Sequence, residues 1–391
     1  LITNNKSERN FGKNSDKDTK KKAYPSRSLE VALREYSPGS EVVLNGVVYR
    51  SQGLQLNWKA PFNKNDIKED QLISTMWECT NCAMIGYGGN PADKPVCNEC
   101  QSSDLKFQEY IVPTGFVVDY NTYLHNNYTQ PNYSAYKEGK IAIMDSDWQN
   151  LSNPALGRFK ASENGDIFHY NDGNGAGYAL CWCCGKAECL QVEKGHNPKV
   201  KGEPKLLDRH RRVQGTKVEG SLFCESQENA WSVKRSRVDS SNNVTLPFIL
   251  GYPQKSGIFE LQLKDPLSGT WINDRTIIYT FGVALRQLLC EQKGVTTQEV
   301  GVSVRDRVSE NGEPVASLFL YDQASQGAGF STSCPDIFEE LINKLTKYLA
   351  SCSQKCEAAC HACLLDYDTQ HNLKELNRNF LLEFLETSGF V

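Results

Sequence analysis

Cys352-x3-Cys356-x3-Cys360-x2-Cys363, followed at once by Leu364-Leu365-Asp366, is the stretch that decides how this chain folds. Four thiols this close together cannot form a core, and they are too crowded for ordinary disulfides. They can close around one zinc, because Zn²⁺ takes four soft ligands in a tetrahedron at about 2.3 Å. The flanking segments are amphipathic. Upstream, Ser333 or Cys334 precedes Pro335, a good opening helical residue, and Ile337, Phe338, Leu341, Ile342, Leu345, Tyr348 and Leu349 share one helical face. Downstream, Leu373, Leu376, Phe380, Leu381, Phe384 and Leu385 do the same. The spacing predicts a metal-locked corner joining two helices.

Around this corner lie 391 residues, 39% of them hydrophobic, enough for two or three small domains. A net charge of −4 gives no global case for nucleic-acid or membrane binding, so any such surface is local. No apolar run is long enough to span a bilayer, and the N-terminus has no apolar signal core. A chain opening on Leu1 is expected to be a fragment or a processed product, with any catalytic part of its parent upstream. The fifteen cysteines cluster as Cys-x2-Cys pairs, the usage of metal sites in a reducing cytoplasm rather than of a secreted disulfide framework.

The fold class expected is α+β, built as several small zinc-stabilised modules. Residues 1–28 carry eight Lys/Arg against three Asp/Glu without periodicity and read as a basic linker. Residues 29–75 form a β-hairpin segment, in which Val42-Val43-Leu44 and Val47-Val48-Tyr49 flank Asn45-Gly46, a pair suited to a type I′ turn. Residues 76–105 hold Cys79-x2-Cys82 and Cys97-x2-Cys100, the ligand spacing of a four-cysteine zinc ribbon. Two matched pairs argue against a redox Cys-x-x-Cys, which sits alone at a helix start.

Residues 106–270 read as a β-rich domain with a second zinc site. Arg158 to Tyr170 reads as a hairpin turning at Glu163-Asn164-Gly165-Asp166, and the Tyr- and Asn-rich stretch 119–136 as a polar surface loop. Cys181-x2-Cys184-Gly185 is a knuckle whose remaining ligands come from later in the chain. His210 and Cys224 are the leading candidates, with Cys183, Cys189 and His196 as rivals. The only dense basic runs in this region include Arg209, Arg211 and Arg212, then Lys234, Arg235 and Arg237. They can neutralise phosphates, or they are solvated loops offsetting the charge of thiolate–zinc centres.

Residues 271–391 read as α/β: a helix over 277–293, strands at Val300 to Val304 and Leu318 to Tyr321, then the turn Asp322-Gln-Ala-Ser-Gln-Gly327-Ala328-Gly329-Phe330. No Gly-Lys-Ser/Thr follows that turn, which favours close backbone packing over phosphate binding, with Asp322 as a polar anchor. The three Gly-Lys pairs continue into Asn14, Ile141 and Ala187, so none is a Walker A. Asp-Glu-x-Asp/His, His-Glu-x-x-His, Gly-x-Ser-x-Gly and the deaminase His-x-Glu are likewise missing. No catalytic residue is assigned, and four-ligand zinc leaves no open position for substrate.

The combination Leu320-Tyr-Asp322-x4-Gly327-Ala-Gly329-Phe330, the four-cysteine cluster with its Leu-Leu, Asn372 and Leu376-Asn377-Arg378 resembles the MrfA-type zinc-binding (MZB) domain. That family sits at the C-terminus of bacterial superfamily-two DEAD/DEAH helicases and in DISARM phage-defence proteins. The stretch from Arg34 through Pro38-Gly39 to Gly53 is similar to the segment following the motor in large, Druantia-type members. Where the family usually opens its last cluster Cys-x-Cys, this chain has Cys352-x3-Cys356, which keeps Cys334 as a reserve ligand; Asn377 stands where the family usually has Asp. The resemblance implies three structural Zn²⁺ sites and the C-terminal, scaffolding part of an ATP-dependent DNA helicase or translocase in anti-phage defence. ATP and Mg²⁺ would belong only to a motor before Leu1. The implied partners are single-stranded or duplex DNA, the motor in cis or in a complex, and defence-system subunits, with no membrane. The alternative is a non-enzymatic zinc-dependent adaptor that binds protein.

Overall fold

The computed structural model describes residues 2–3, 26–44, 47–55, 73–89, 93, 95–118, 137–181, 184–191, 206, 210–213, 223–224, 244–309 and 311–390. In chain order the elements are β1 (Ile2–Thr3), α1 (Leu29–Glu35), β2 (Glu41–Leu44), β3 (Val47–Leu54), β4 (Ile73–Cys79), β5 (Ile85–Tyr87) and β6 (Leu105–Ile111). Next come β7 (Phe116–Val118), β8 (Lys140–Ala142), β9 (Gln149–Asn150), β10 (Gly157–Asn171), β11 (Tyr178–Cys181), β12 (Ala187–Cys189) and β13 (Val244–Leu263). The last third holds α2 (Arg275–Lys293), β14 (Val300–Val308), β15 (Pro314–Asp322), α3 (Cys334–Ala350) and α4 (Arg378–Ser388). The chain is mixed α and β and rich in sheet. Among the described residues, no helix is long and apolar enough to cross a membrane.

Two compact units emerge, each assembled from separated stretches: Leu1–Met76, Gln108–Lys137 and His169–Tyr252 in one, Trp77–Phe107, Glu138–Phe168 and Pro253–Val391 in the other. The ribbon stretch and the last cysteine cluster thus belong to the same unit, and the middle of the chain is shared between both. The basic arm over 4–25 and the Tyr- and Asn-rich stretch 119–136 lie outside the described residues.

In the first unit β2 and β3 pair antiparallel from Glu41↔Arg50 to Leu44↔Val47, a register that leaves only positions 45 and 46 to connect them. β7 pairs antiparallel with β3 and parallel with β1. The start of β13 pairs antiparallel with β11 and parallel with β6. Leu33, Tyr36, Phe116, Tyr178, Leu180 and Phe248 form the core between them. α1 is only two turns long and is fixed from outside: Asn171 Nδ2 donates to Leu33 O at 2.8 Å, and Tyr178 Oη donates to Asn171 Oδ1 at 2.6 Å.

In the second unit β13 pairs with β15 from Ile258↔Tyr321 to Gln262↔Ser317, and β15 pairs with β14 over the whole of both strands. Strand alternation assigns the faces. Phe259, Leu261 and Leu263 join Leu318 and Leu320 in the core beneath α2, α3 and α4, while Glu260 and Gln262 take the other side. α2 starts where Asp274 accepts from Thr276 N at 2.8 Å and Ile277 N at 3.1 Å, and it ends at left-handed Gly294.

Two expectations are corrected. Residues 158–170 are not a hairpin: β10 runs unbroken from Gly157 to Asn171. Asn164 and Gly165 lack the positive φ of a type I′ turn, and a Cβ on Gly165 would lie 2.3 Å from Ile258 Cδ1. The glycine permits a close approach to β13, which pairs with β10, rather than a reversal. Nor do Leu373 to Leu385 form one amphipathic helix. Thr369–Glu375 is a 3-10 turn, Leu376 is extended, and Asn377 starts α4 by accepting from Phe380 N at 3.0 Å. The break leaves Leu373 at 50% and Phe380 at 40% exposure, while Leu376, Leu381 and Leu385 are buried.

Gly282 gives a test of packing within α2. Propensity alone has alanine stabilising a helix interior by about 0.5–1 kcal/mol over glycine. A Cβ there would meet Leu318 Cδ1 at 2.2 Å and Val302 Cγ1 at 3.1 Å. Overpacking exceeds the propensity gain, so Gly282→Ala should destabilise by about 1–2 kcal/mol, read as a lower urea midpoint.

Candidate metal centres

Among the described residues, three clusters bring four ligand atoms within 4.8 Å of one another: Cys79, Cys82, Cys97 and Cys100; Cys181, Cys184, His210 and Cys224; and Cys352, Cys356, Cys360 and Cys363. A tetrahedron with 2.3 Å metal–sulfur bonds has edges of about 3.8 Å. The sulfurs of Cys79 and Cys100 are 3.5 Å apart, as are those of Cys82 and Cys97. Cys181 and Cys224 sulfurs are separated by 3.8 Å, and Cys184 Sγ is 3.5 Å from His210 Nε2. In the last cluster the sulfur separations run from 3.6 to 3.8 Å. Each group has the size and donor set to hold one zinc.

The local backbone explains why the pairs converge. In all three Cys-x2-Cys knuckles of the first two clusters, the N–H four residues after the first cysteine donates back to that cysteine's carbonyl. These are Ala83 to Cys79 at 3.0 Å, Gln101 to Cys97 at 2.9 Å and Gly185 to Cys181 at 2.8 Å. The cysteine N–H in turn donates to the next carbonyl, of Met84, Ser102 or Lys186. Closing the turn requires a left-handed residue, with φ of 56° at Ala83, 58° at Gln101 and 78° at Gly185. Only the third knuckle uses glycine, so sequence reading finds the cysteines but not the strained position at Ala83 or Gln101. The Gly185 knuckle also rests on β3: Leu54 N donates to Gly185 O at 2.8 Å, and a Cβ on Gly53 would strike that oxygen.

His210 and Cys224 reach the second cluster on an isolated bridge, Arg211↔Phe223, with Cys224 N donating to His210 O at 2.8 Å. All four ligand residues there are buried. Cys189 is elsewhere, its thiol directed at Gly173 O at 3.2 Å, and Cys183 and His196 lie outside the described residues. Cys334 is in the α3 core, away from the last cluster, where burial pushes its thiol up. Of the basic candidates, Arg211 is exposed and Arg212 half-buried; Arg209, Lys234, Arg235 and Arg237 lie outside the described residues.

The last cluster is fixed by residues that carry no metal-binding signal. Arg378, at the start of α4, donates to Leu349 O at 2.9 Å and to Cys356 O, while its own N–H reaches Ala358 O at 2.7 Å. Tyr348 Oη donates to Cys363 O at 2.6 Å. Asp366, closing Leu-Leu-Asp, pairs with Arg286 of α2, whose side chain is 1% exposed, and accepts from Thr369 N at 2.9 Å. Cys352 is brought down to about 6, first by the backbone N–H of Cys356, whereas burial pushes Cys363 up to about 12. At the ribbon, burial works to raise Cys100, but hydrogen bonding led by Asn81 brings it down to about 7. Both of these clusters therefore offer unequal thiols, and metal binding must release protons from the harder ones.

The glycine turn before α3 is a backbone nest filled from within. Asp322 is fully buried; its Oδ2 accepts from Ala328 N and Gly329 N at 2.7 Å, and its Oδ1 from Ser331 N at 2.8 Å and Ser331 Oγ at 2.7 Å. A carboxylate at a strand end just before Gly-x-Gly was the available signal. Asp322→Ala should cost roughly 3–5 kcal/mol in urea unfolding, because it strands several buried donors. Phosphate or sulfate should recover part of the loss in Asp322→Gly, where the vacated nest can take an oxyanion. Gln101→Gly should raise stability by roughly 0.5–1 kcal/mol in the same assay, by relieving a left-handed non-glycine residue.

Over 376 residues, 90% of this chain, the sequence is 22% identical to the Druantia protein DruE of Escherichia coli (strain UMEA 4076-1) and covers 19% of that protein. The chain thus spans about a fifth of the curated relative it matches. A solved structure of the DUF1998 helicase MrfA bound to DNA aligns with 92% of this chain and 31% of its own, at 11% identity and a TM-score of 0.37. A second, bound to DNA and AMPPNP, aligns with 32% of this chain and 20% of its own, at 12% identity and a TM-score of 0.21. Residues 281–364, from α2 through the last cysteine of the corner, match the MrfA Zn-binding domain family, so the chain carries an MZB domain.

Proposed function

We propose that this chain is the zinc-held scaffolding portion of a helicase-related defence protein, and that it engages nucleic acid beside an ATP-dependent motor. The observation that carries this reading is the corner itself: four convergent sulfurs whose last member closes the segment matched by the MZB family. Similarity to DruE along 90% of the chain supports the defence assignment. Each ligand set supplies all four donors of a tetrahedral zinc, so the metals are structural and present no vacant position to substrate. A structural zinc contributes on the order of 10 kcal/mol of folding free energy, enough to hold short strands and tight knuckles that bury little apolar surface. ATP hydrolysis belongs to the motor of the full-length protein, not to residues 1–391.

Nucleic acid is proposed to meet the second centre, where exposed Arg211 follows the ligand His210. Phosphate contacts of this kind give salt-dependent affinity. Purified protein should contain three zinc equivalents per chain, one for each cluster, and Cys360→Ser should contain two. Lowering pH should release zinc from the clusters, because protons compete with the metal for every thiolate ligand. Fluorescence anisotropy with single-stranded and duplex DNA should show binding at about 50 mM salt that weakens by 200 mM. Arg211→Ala with Arg212→Ala should reduce it while leaving zinc content unchanged. Absence of binding at low salt would favour the protein-binding adaptor, and ATP hydrolysis by this chain alone would refute the assignment of the motor elsewhere.

A further inference from the structure

The ribbon knuckle carries an acid that is not a ligand. Glu99 sits between Cys97 and Cys100, and its Oε1 accepts from Lys160 Nζ of β10 at 2.7 Å. That lysine side chain is only 5% exposed. On the same sheet face, Glu260 of β13 lies 3.3 Å from Arg307 Nε of β14, with side-chain exposures of 1% and 3%. Neither Glu260 Oε1 nor Arg307 Nε makes an aligned hydrogen bond among the described residues, so this contact depends on charge. The Arg307 guanidinium lies 5.2 Å from the Phe319 ring centroid, and Lys160 lies 4.9 Å from that of Trp148. Burial pushes the Glu260 carboxyl up, and Arg307 and then Lys160 pull it back. With Glu260 ionised against Arg307, the four groups sum to zero charge only while Glu99 is present, because Lys160, Glu260 and Arg307 together then carry one net positive charge. A buried uncompensated charge is strongly destabilising, whereas replacing a buried ion with an apolar side chain is often neutral.

We propose that Glu99, Lys160, Glu260 and Arg307 form a clamp transmitting the closure of the ribbon knuckle into the sheet of this unit, so that loss of the ribbon metal loosens β10 and β13. The clamp rests on the zinc reading for its trigger, but not for its wiring, which the chain's own charges supply. Glu99 is a positioning residue. The knuckle fixes where its carboxylate sits, and the carboxylate decides whether Lys160 is neutralised.

The test uses the full metal-loaded chain, with zinc counted by mass spectrometry and opening followed by amide hydrogen exchange. Glu99→Gln should retain as many zinc equivalents as the parent and leave peptides covering 79–101 protected. It should nevertheless speed exchange across 157–162 and 258–262 at least tenfold. Adding Lys160→Met, which removes the charge needing a partner, should bring both stretches back to within about twofold of the parent rate. Cys97→Ser with Cys100→Ser, which opens the ribbon site, should accelerate the same two stretches as Glu99→Gln does. Unchanged exchange in Glu99→Gln, loss of zinc from it, or failure of Lys160→Met to restore protection would each overturn the clamp. A parent with no zinc but an intact Glu99→Gln and Lys160→Met pattern would instead remove the zinc reading and leave the wiring standing.

Discussion

Convergence of four thiolates between α3 and α4 is the constraint on which the MZB segment depends. Unligated, the cluster would be a knot of partly buried sulfurs with unequal acidities, with Cys352 drawn down and Cys363 pushed up. Around one divalent cation their negative charge becomes cohesive. The protein also supplies rigidity from outside the ligand shell. Arg378 holds the carbonyls of Leu349 and Cys356, so the end of α3, the metal loop and the start of α4 are fixed by one guanidinium. Arg286 binds Asp366 just beyond the last ligand, tying the loop to α2. Partners that orient a ligand loop are as much a part of a metal centre as the ligands.

The ribbon and the second centre solve the same problem with a different backbone. Their knuckles place an N–H on the first cysteine's carbonyl and require a left-handed residue at the fifth position. Glycine takes that place at 185, whereas Ala83 and Gln101 adopt it at a cost of about 1 kcal/mol or more. Such strain persists only where surrounding bonds over-determine it, and here each knuckle has two backbone hydrogen bonds and two thiols at its mouth.

What could be read from the sequence follows from how local each determinant is. Paired cysteines at fixed spacing announce their geometry, and so does Asn45-Gly46, because only two positions separate paired Leu44 and Val47. The second centre was readable as a set of candidates. His210 and Cys224 are far along the chain from Cys181, and nothing local distinguishes them from Cys189. Asn164-Gly165 has the same letters as the pair between β2 and β3, but no reversal occurs there. Ile258 packs where a Cβ would stand, and β10 continues through the site to Asn171. Asn377 owes its place to the start of α4. Capping Phe380 N needs one side-chain oxygen, which asparagine supplies as well as aspartate.

The glycine turn after β15 shows why loop composition alone cannot assign chemistry. Successive N–H groups of Ala328, Gly329 and Ser331 converge as they would on a phosphate, and left-handed Gly327 and Gly329 permit it. The anion is already present as the Asp322 carboxylate, delivered by the last residue of β15 and sealed from solvent. An external phosphate would have to expel a side chain covalently held at high effective concentration. The nest therefore joins the end of the sheet to the start of α3, while the Cys352–Cys363 corner fixes that helix at its other end. One helix is thus pinned at both ends, by a buried internal carboxylate and by a partly buried cysteine cluster, and α2 packs across it.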